Sequence, residues 1–214
     1  MTADFLQNSL QRRVIVGLSK IGLALKTHSW QDANQQGLTP TQGQILALLR
    51  SKGLEGMRLS VVAHELGVSA ATSSDAVKTL VEKGLVHKKK AVDDGRAIAI
   101  SLTAKGQQAA VQVSDWTDFL LDAVSELSEM EQEVFLKGLI KMIRKLQEQK
   151  QISVARMCVN CDFFRPNVYE NVDHPHHCTF VDAPFGDQEL QVDCPDQVAA
   201  ELTTVQQNWQ ILSL

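Results

Sequence analysis

The sequence lacks the features that would place a protein in or across a membrane. It contains no apolar run that approaches the roughly 20 residues needed to span a bilayer. Its N-terminus lacks the succession of basic, apolar and small residues that marks a signal peptide. These absences predict a cytoplasmic protein with no membrane partner, in a compartment where thiols stay reduced.

Motifs for common enzymatic chemistry are also missing. There is no glycine-rich phosphate loop, no nucleophile with a base at a useful spacing, and no pair of carboxylates in a recognisable site. We therefore predict that the protein is not an enzyme.

Cysteine and lysine are each absent from one part of the chain. All four cysteines lie beyond residue 157, whereas residues 151–214 contain no lysine. Residues 1–150 hold 19 basic and 16 acidic side chains, but residues 151–214 hold nine acidic side chains against two arginines. A local basic patch in the first part remains compatible with the net charge of −4. The contrast divides the chain into three predicted parts: 1–150, 155–196 and 197–214.

Apolar spacing and capping signals predict helices through most of the first part. Capping boxes are predicted where Thr39 precedes Gln42 and where Ser128 precedes Glu131. Ser60 is predicted to cap a short helix that ends at Glu65, and Ser69 the helix that follows. The remaining helices are predicted over 4–30, from Pro40 to about Gly53, over 104–127, 129–150 and 197–211.

A hairpin is predicted after the helix that Ser69 caps. Leu85 to Lys90 and Ala97 to Leu102 resemble strands, and Asp93-Asp94-Gly95 supplies the turn between them. The alternation in the second strand predicts that Ile98, Ile100 and Leu102 face the core. Two short helices joined by a turn at Gly67 and followed by this hairpin make a winged helix-turn-helix. The predicted fold is therefore mainly α with a small β-hairpin wing and long flanking helices.

The predicted helix 129–150 carries an apolar stripe with two interpretations. The stripe either packs inside one chain or forms part of a dimer interface with the first helix, which we favour because a winged helix alone needs no long flanking helices. Its members are Val134, Phe135, Leu139, Met142, Ile143 and Leu146.

Residues 5–150 resemble the MarR family of bacterial transcription regulators. Three segments carry the resemblance: "LTPTQGQILALL", "LSVVAHELGVSAATSSDAVKTLVEKGLV" and "DDGRAIAISLTAKG", the last with an Asp-x-Arg tip and a Leu-Thr-x-x-Gly ending. The resemblance implies a homodimer that binds an inverted repeat in double-stranded DNA. It places the second helix of the motif in the major groove and the wing near the minor groove, and it allows a small-molecule effector between the lobes.

Candidate DNA contacts follow from that placement. Small residues let a helix approach the bases, hydroxyls bond to phosphates or base edges, and cations contact phosphates. Asp94 is expected to orient Arg96, which is a candidate for the minor groove. Ser69 also serves as an N-cap, and the lysines also suit a solvated strand edge. The candidates are Ser69, Ala70, Ala71, Thr72, Ser73, Ser74, Lys78, His87, Lys88, Lys89, Lys90, Asp94 and Arg96.

The segment 155–196 reads as a module that holds a metal centre through Cys158, Cys161, Cys178 and Cys194. A module of about 40 residues buries too little surface to fold unless a bound metal or a disulfide crosslinks it. The pattern Cys-x2-Cys-x-Phe-Phe, Cys-x-Phe and a lone Cys resembles the stretch of high-potential iron–sulfur proteins that binds a 4Fe-4S cluster, so we favour an iron–sulfur cluster. A Zn²⁺ site and a thiol redox switch stay open, as does a ligand role for His176 or His177.

Three functional hypotheses remain from the sequence. The first, which we favour, is a MarR-like regulator, a repressor rather than an activator, whose cysteine centre senses redox state or metal supply. The second is a regulator with a structural zinc module that senses a small molecule between its lobes. The third is an electron-transfer subunit with a decayed winged helix, against which the intact wing sequence argues.

Overall fold

The structure is a computed structural model of the 214-residue chain, and it describes residues 9–51, 56–90, 98–114, 117–152 and 155–212. The chain divides into two compact units, Met1–Leu121 and Asp122–Leu214. The predicted first part extended to residue 150, but the division places the helix Glu129–Glu148 in the second unit. This helix packs with the cysteine-rich segment. Among the described residues, no helix is both long and apolar enough to cross a membrane.

The N-terminal unit contains a helix-turn-helix and a three-stranded antiparallel sheet in the order β1-β3-β2. Its elements are α1 (Leu10–Gln35), α2 (Pro40–Ser51), β1 (Met57–Arg58), α3 (Leu59–Glu65), α4 (Ala70–Glu82), β2 (Val86–Lys90), β3 (Ile98–Leu102) and α5 (Ala104–Ser114), and α6 (Phe119–Ser125) lies across the division. This order confirms the predicted winged helix.

The capping predictions hold with one exception. The Thr39 N–H donates to Gln42 Oε1 (3.1 Å), and the Gln42 N–H donates to Thr39 Oγ1 (3.3 Å), which completes the first capping box. The prediction for Ser60 is wrong: α3 begins at Leu59, and Arg58 occupies the cap position without making a side-chain capping hydrogen bond. The short strand β1 runs directly into α3, so the backbone of Arg58 is already set by sheet pairing.

The wing strands occupy the predicted positions, but one face differs. Ile100 is fully buried, whereas Ile98 is exposed although it has the same parity. Ile98 pairs with Lys90 at the far end of the hairpin, beyond the reach of the core. Strand β1 was not predicted, because two residues are too few to show a periodicity; Met57 pairs with Ile100.

The end of β3 explains the Leu-Thr-x-x-Gly sequence. The Thr103 hydroxyl donates to the carbonyl of Gly84 (2.8 Å) and accepts from the N–H of Gly106 (2.8 Å). A Cβ on Gly106 would overlap the backbone carbonyl of Leu85, so only glycine allows this close approach. Thr103 thus joins the end of α4 to the start of α5.

The helix predicted over 104–127 is two helices, α5 and α6, so that prediction is wrong. A core of mostly aliphatic residues joins α2, α4, α5 and the sheet in the N-terminal unit. Its members include Ile45, Leu46, Leu49, Val62, Val77, Leu80, Val86, Ile100 and Val113.

The C-terminal unit packs one long helix against a small antiparallel sheet in the order β4-β5-β6. Its core includes Ile140 of the long helix, Phe164 and Trp209. The Ser128–Glu131 capping box is confirmed at the start of that helix. The elements are α7 (Glu129–Glu148), β4 (Phe164–Arg165), β5 (His176–Cys178), β6 (Ala183–Phe185) and α8 (Leu202–Leu212), with single 3-10 turns at Cys158–Asn160 and Asp187–Glu189.

The final helix is shorter than predicted. Helix α8 begins at Leu202 instead of residue 197, and both Val198 and Leu202 are exposed. Its buried residues are Asn208, Trp209 and Leu212. The Trp209 indole N–H donates to Asn160 Oδ1 (3.3 Å), so α8 covers the turn that carries Cys158.

Candidate functional site

The first turn of α4 presents small exposed residues. Ser69 is the N-cap: its Oγ accepts from the N–H of Thr72 (3.0 Å) and lies 2.8 Å from Thr72 Oγ1. Ser69, Ala70, Ala71 and Thr72 are all exposed. One hydroxyl of the Ser69–Thr72 pair donates to the other, which leaves one hydroxyl hydrogen for an external acceptor.

Ser73 is removed from the candidate DNA contacts, because it lies on the opposite face of α4. It is fully buried, and it shares the core face with Ala76, Val77 and Leu80 at helical spacing. Ser74 is half-buried at the boundary, and Lys78 is exposed on the outer face. Because residues 69–74 are all small, the sequence does not show where the helix surface changes from exposed to buried.

We expect Ser73→Ala to raise the free energy of unfolding by about 1 kcal/mol. The Ser73 hydroxyl is buried with no hydrogen-bond partner among the described residues, and alanine removes that unsatisfied group and favours the helix. Chemical denaturation of the variant measures the change. Ser74→Ala is the matched control, since it makes the same substitution on the half-buried side, and we expect a smaller gain. A loss of stability in Ser73→Ala alone would contradict this interpretation.

The strand β2 carries an unbroken exposed cationic run. His87, Lys88, Lys89 and Lys90 are all exposed, and β2 lies at the edge of the sheet. Because side chains alternate along a strand, Lys88 and Lys90 point to one face of the hairpin and Lys89 to the other. The wing therefore presents positive charge on both faces. The remaining wing candidates, Asp94 and Arg96, lie outside the described residues.

The four cysteines come from separate parts of the C-terminal unit. Cys158 opens a 3-10 turn, and Cys161 follows it and pairs with Ala199 in an isolated bridge. Cys178 ends β5, between Phe164 of β4 and Ala183 of β6. The Cys194 N–H donates to the carbonyl of Arg156 (2.9 Å), and all four cysteines are free thiols.

Backbone hydrogen bonds connect the segments that carry Cys158, Cys161 and Cys178: the Cys161 N–H donates to the Cys158 carbonyl (2.9 Å), and the N–H of Phe164, which pairs with Cys178, donates to the Cys161 carbonyl (3.2 Å). Burial raises the pKa of the Cys158 thiol to about 11, and the charges of Cys194, Cys161 and Cys178 act in the same direction. The backbone N–H of Gln191 donates to Cys158 Sγ (3.3 Å) and acts in the opposite direction. Among the described residues, no three His, Cys, Asp or Glu side chains are arranged to hold a single metal ion.

Aromatic rings surround the strand that carries Cys178. The rings of Phe163 and Phe180 are 5.4 Å apart, and those of Phe164 and Phe185 are 5.8 Å apart. The His176 ring contacts both Phe164 (5.3 Å) and Phe185 (5.4 Å) edge-on. Phe163, Phe164 and Phe185 belong to the same hydrophobic cluster as Cys158 and Cys161, whereas Phe180 is 53% exposed.

Both histidines that precede Cys178 have their ring nitrogens engaged. His176 is buried; its Nδ1 accepts from the Asn167 N–H (3.2 Å), so its Nε2 carries the proton and donates to Asp187 Oδ1 (2.9 Å). His177 Nδ1 lies 3.0 Å from the Tyr169 hydroxyl. His177 Nε2 lies 3.4 Å from a carboxylate oxygen of Asp182. This arrangement disfavours a ligand role for either ring.

A polar network that includes the buried His176 and three half-buried charged side chains was not foreseen from the sequence. Asp187, which accepts from His176, also pairs with Lys137 of α7, and Lys137 pairs with Glu133 (2.8 Å). Burial acts to raise the pKa of Asp187, but the hydrogen bonds from Lys137 and His176 outweigh it and lower the pKa. The network ties β5 to α7 within the C-terminal unit. No spacing in the sequence signals it, because its members lie up to 54 positions apart.

Comparisons with known proteins agree with the fold of the N-terminal unit. Residues 36–97 match the MarR family. The chain is similar to the HTH-type transcriptional regulator FarR of Neisseria gonorrhoeae, with 25% identity over 133 residues that cover 62% of this chain and 90% of FarR.

Two solved structures resemble the chain. It is similar to MepR in the S. aureus MepR–DNA complex, with 26% identity and a TM-score of 0.53 over 60% of this chain and 94% of that chain. A MarR protein from Peptoclostridium difficile is similar in fold, with 19% identity and a TM-score of 0.57 over 66% of this chain and 92% of that chain. The family match and these likenesses agree with the helix-turn-helix and hairpin described above: the N-terminal unit has a winged-helix fold similar to that of MarR-family proteins.

Proposed function

We propose that the protein is a transcription repressor of the MarR type that binds an inverted repeat in double-stranded DNA as a homodimer. The observation that carries the proposal is the exposed first turn of α4 in the same unit as the exposed cationic strand β2. MepR, a relative of the same fold, has been solved in complex with DNA. A dimer that reads two half-sites doubles the contacts of one winged helix without a larger domain.

The chemistry of α4 supports contact in the major groove. Ala70 and Ala71 allow close approach to the bases, and the Ser69–Thr72 pair offers one hydroxyl hydrogen. Lys78 lies two turns along the same exposed side of the helix. Because α4 has no arginine for a bidentate hydrogen bond to guanine, we expect phosphate contacts to supply most of the affinity for DNA.

We expect the lysines of β2 to carry much of the salt dependence of DNA binding. Replacing Lys88, Lys89 and Lys90 together with alanine should lower the slope of log Kd against log salt by about 0.9 for each phosphate that the dimer no longer neutralises. The measurement is fluorescence anisotropy across a salt series, on the operator that the unmodified protein selects from random duplexes. The control is Lys145→Ala on α7, which should leave the slope unchanged. An unchanged slope in the triple variant would show that the three lysines do not contact phosphates and form only a solvated strand edge.

Exposed apolar side chains on two helices support the homodimer. Helix α1 exposes Val14, Ile15 and Ile21 although it is amphipathic, and α7 exposes Val134 and Phe135. Each helix belongs to a different unit, and the described residues of the chain leave these side chains uncovered. A second copy of the chain is the partner that the family resemblance implies for both faces.

The C-terminal unit is proposed to hold a metal centre, for which we favour an iron–sulfur cluster. The fit rests on the donor set: four free cysteines on segments connected by backbone hydrogen bonds, a backbone N–H bonded to the Cys158 sulfur, and aromatic rings in the same hydrophobic cluster as Cys158 and Cys161. Such N–H···S bonds and limited solvent access tune iron–sulfur centres. The aromatic surroundings and the resemblance of the cysteine pattern to that of high-potential iron–sulfur proteins favour a cluster over a single zinc ion.

This centre is proposed to act as a redox or metal sensor. When bound, it would supply reversible one-electron chemistry, and Cys158, Cys161, Cys178 and Cys194 would hold it. The contacts of α7 with β5 through Lys137, Asp187 and His176 connect the thiol region to a helix of the proposed dimer interface. A change at the thiols would therefore bias the packing of α7, and hence DNA binding, if the two states pack differently. The favoured alternative to a sensor is a structural zinc module.

A further inference from the structure

A buried guanidinium lies beside the cysteine cluster. Arg156 comes two residues before Cys158, and its backbone carbonyl accepts from the Cys194 N–H (2.9 Å). Its side chain is only 14% exposed, although arginine is always charged and is strongly disfavoured in the interior without partners. Arg156 is thus fixed between the two chain segments that carry Cys158 and Cys194.

The guanidinium is incompletely paired. Its Nε donates to Asp193 Oδ1 (2.6 Å), but the Asp193 side chain is 66% exposed. Its Nη1 is buried and has no hydrogen-bond partner among the described residues. An unmade hydrogen bond from a buried charged group is costly, so this nitrogen requires an acceptor.

The cysteine centre would supply both an acceptor and a negative charge. Four thiolates around one Zn²⁺, or around a four-iron cluster core of charge +2, leave a net charge of −2. Residues 151–214 contain no lysine, and the other arginine, Arg165, is exposed with its Nη1 on the carbonyls of Asp162 and Phe164. The bond from Arg156 Nε to Asp193, the residue before Cys194, holds the guanidinium beside the segment that carries Cys194.

We propose that Arg156 is a positioning residue of the cysteine centre, whose guanidinium, held beside the Cys194 segment, offsets the negative charge of the four thiolates. The inference rests on the metal centre proposed above. A cation at this place stabilises the more negative, reduced state of a redox cluster and raises its potential. Asp193 opposes that effect, because its carboxylate neutralises part of the Arg156 charge.

Opposite shifts in two variants provide the test. The full-length protein and the variants Arg156→Met, Arg156→Lys and Asp193→Asn are purified without oxygen, and metal, sulfide and midpoint potential are measured on each. We expect the potential to fall in Arg156→Met, to fall less in Arg156→Lys, and to rise in Asp193→Asn. If the bound metal is zinc, competition with a chromophoric chelator replaces the potential, and we expect weaker binding in Arg156→Met and tighter binding in Asp193→Asn.

The outcomes separate this inference from the proposed centre. An unmodified protein without stoichiometric metal would overturn the centre and the role of Arg156 with it. A metal-loaded protein whose potential or chelator competition is the same in all three variants would overturn the role of Arg156 alone. If Arg156→Met fails to fold, Arg156→Lys and the exposed-site variant Asp193→Asn provide the test. A purely structural role of Arg156 predicts no rise of the midpoint potential, and no tighter zinc binding, in Asp193→Asn.

Discussion

Val134→Glu should convert the dimer to monomers and reduce operator affinity by about 10²-fold or more, because each monomer would then bind a single half-site without the avidity of the pair. Val134 is 66% exposed on α7 within one chain, so the change costs the C-terminal unit little by itself. In a dimer it would bury a carboxylate in an apolar interface without a partner. Sedimentation velocity measures the oligomeric state, and anisotropy on the selected operator measures affinity.

The matched control is Val172→Glu. Val172 is 90% exposed and lies outside the helices, and the substitution introduces the same carboxylate. We expect this variant to remain dimeric with unmodified operator affinity. A Val134→Glu protein that stays dimeric and binds the operator normally would place the dimer interface elsewhere and leave the stripe on α7 without this role.

Cys178→Ser should remove the metal centre and change operator affinity by about 5- to 150-fold, the usual range of coupling between two sites. The Cys178 sulfur is one of four proposed ligands, and the residue joins β5 to both neighbouring strands. Loss of a ligand also removes the metal that crosslinks this small module. We therefore expect the C-terminal unit to unfold at a lower temperature as well. Iron, sulfide and zinc are assayed on the same anaerobic sample that is used for operator binding.

Thr179→Ser serves as the control for that variant. Thr179 directly follows Cys178, so the change is small and lies in the same segment. It should retain full metal content and operator affinity. If Cys178→Ser lost its metal but bound the operator as the unmodified protein does, the centre would be structural and the sensing role would fail. If neither protein contained metal, the centre itself would be excluded.

Local rules determined most of the helical part. The capping boxes at Thr39 and Ser128 and the N-cap at Ser69 appear in the structure where the sequence places them. These signals involve residues three or four positions apart, so they act within one turn and need no tertiary context. The hairpin was predictable for a similar reason, because its strands are neighbours in the chain.

Predictions failed where a distant contact set the local structure. Strand β1 exists only because Met57 pairs with Ile100, and that pairing moves the N-cap of α3 from Ser60 to Arg58. Ser73 was assigned to the DNA-facing side, since six consecutive small residues, 69–74, give no hydrophobic period that marks a face. Ile98 follows the alternation of its strand but lies beyond the edge of the core, which only the packed structure defines.

The sequence by itself determined the winged-helix elements, the cationic run of β2 and the presence of four candidate thiolate ligands, since each is a property of neighbouring residues or of composition. Only the tertiary structure decided that Ser73 is buried, that His176 is held by Asp187, and that Arg156 lies beside Cys194 with a nitrogen unpaired among the described residues. Those contacts join residues far apart in the chain, and their energy arises from burial and pairing after the chain has folded.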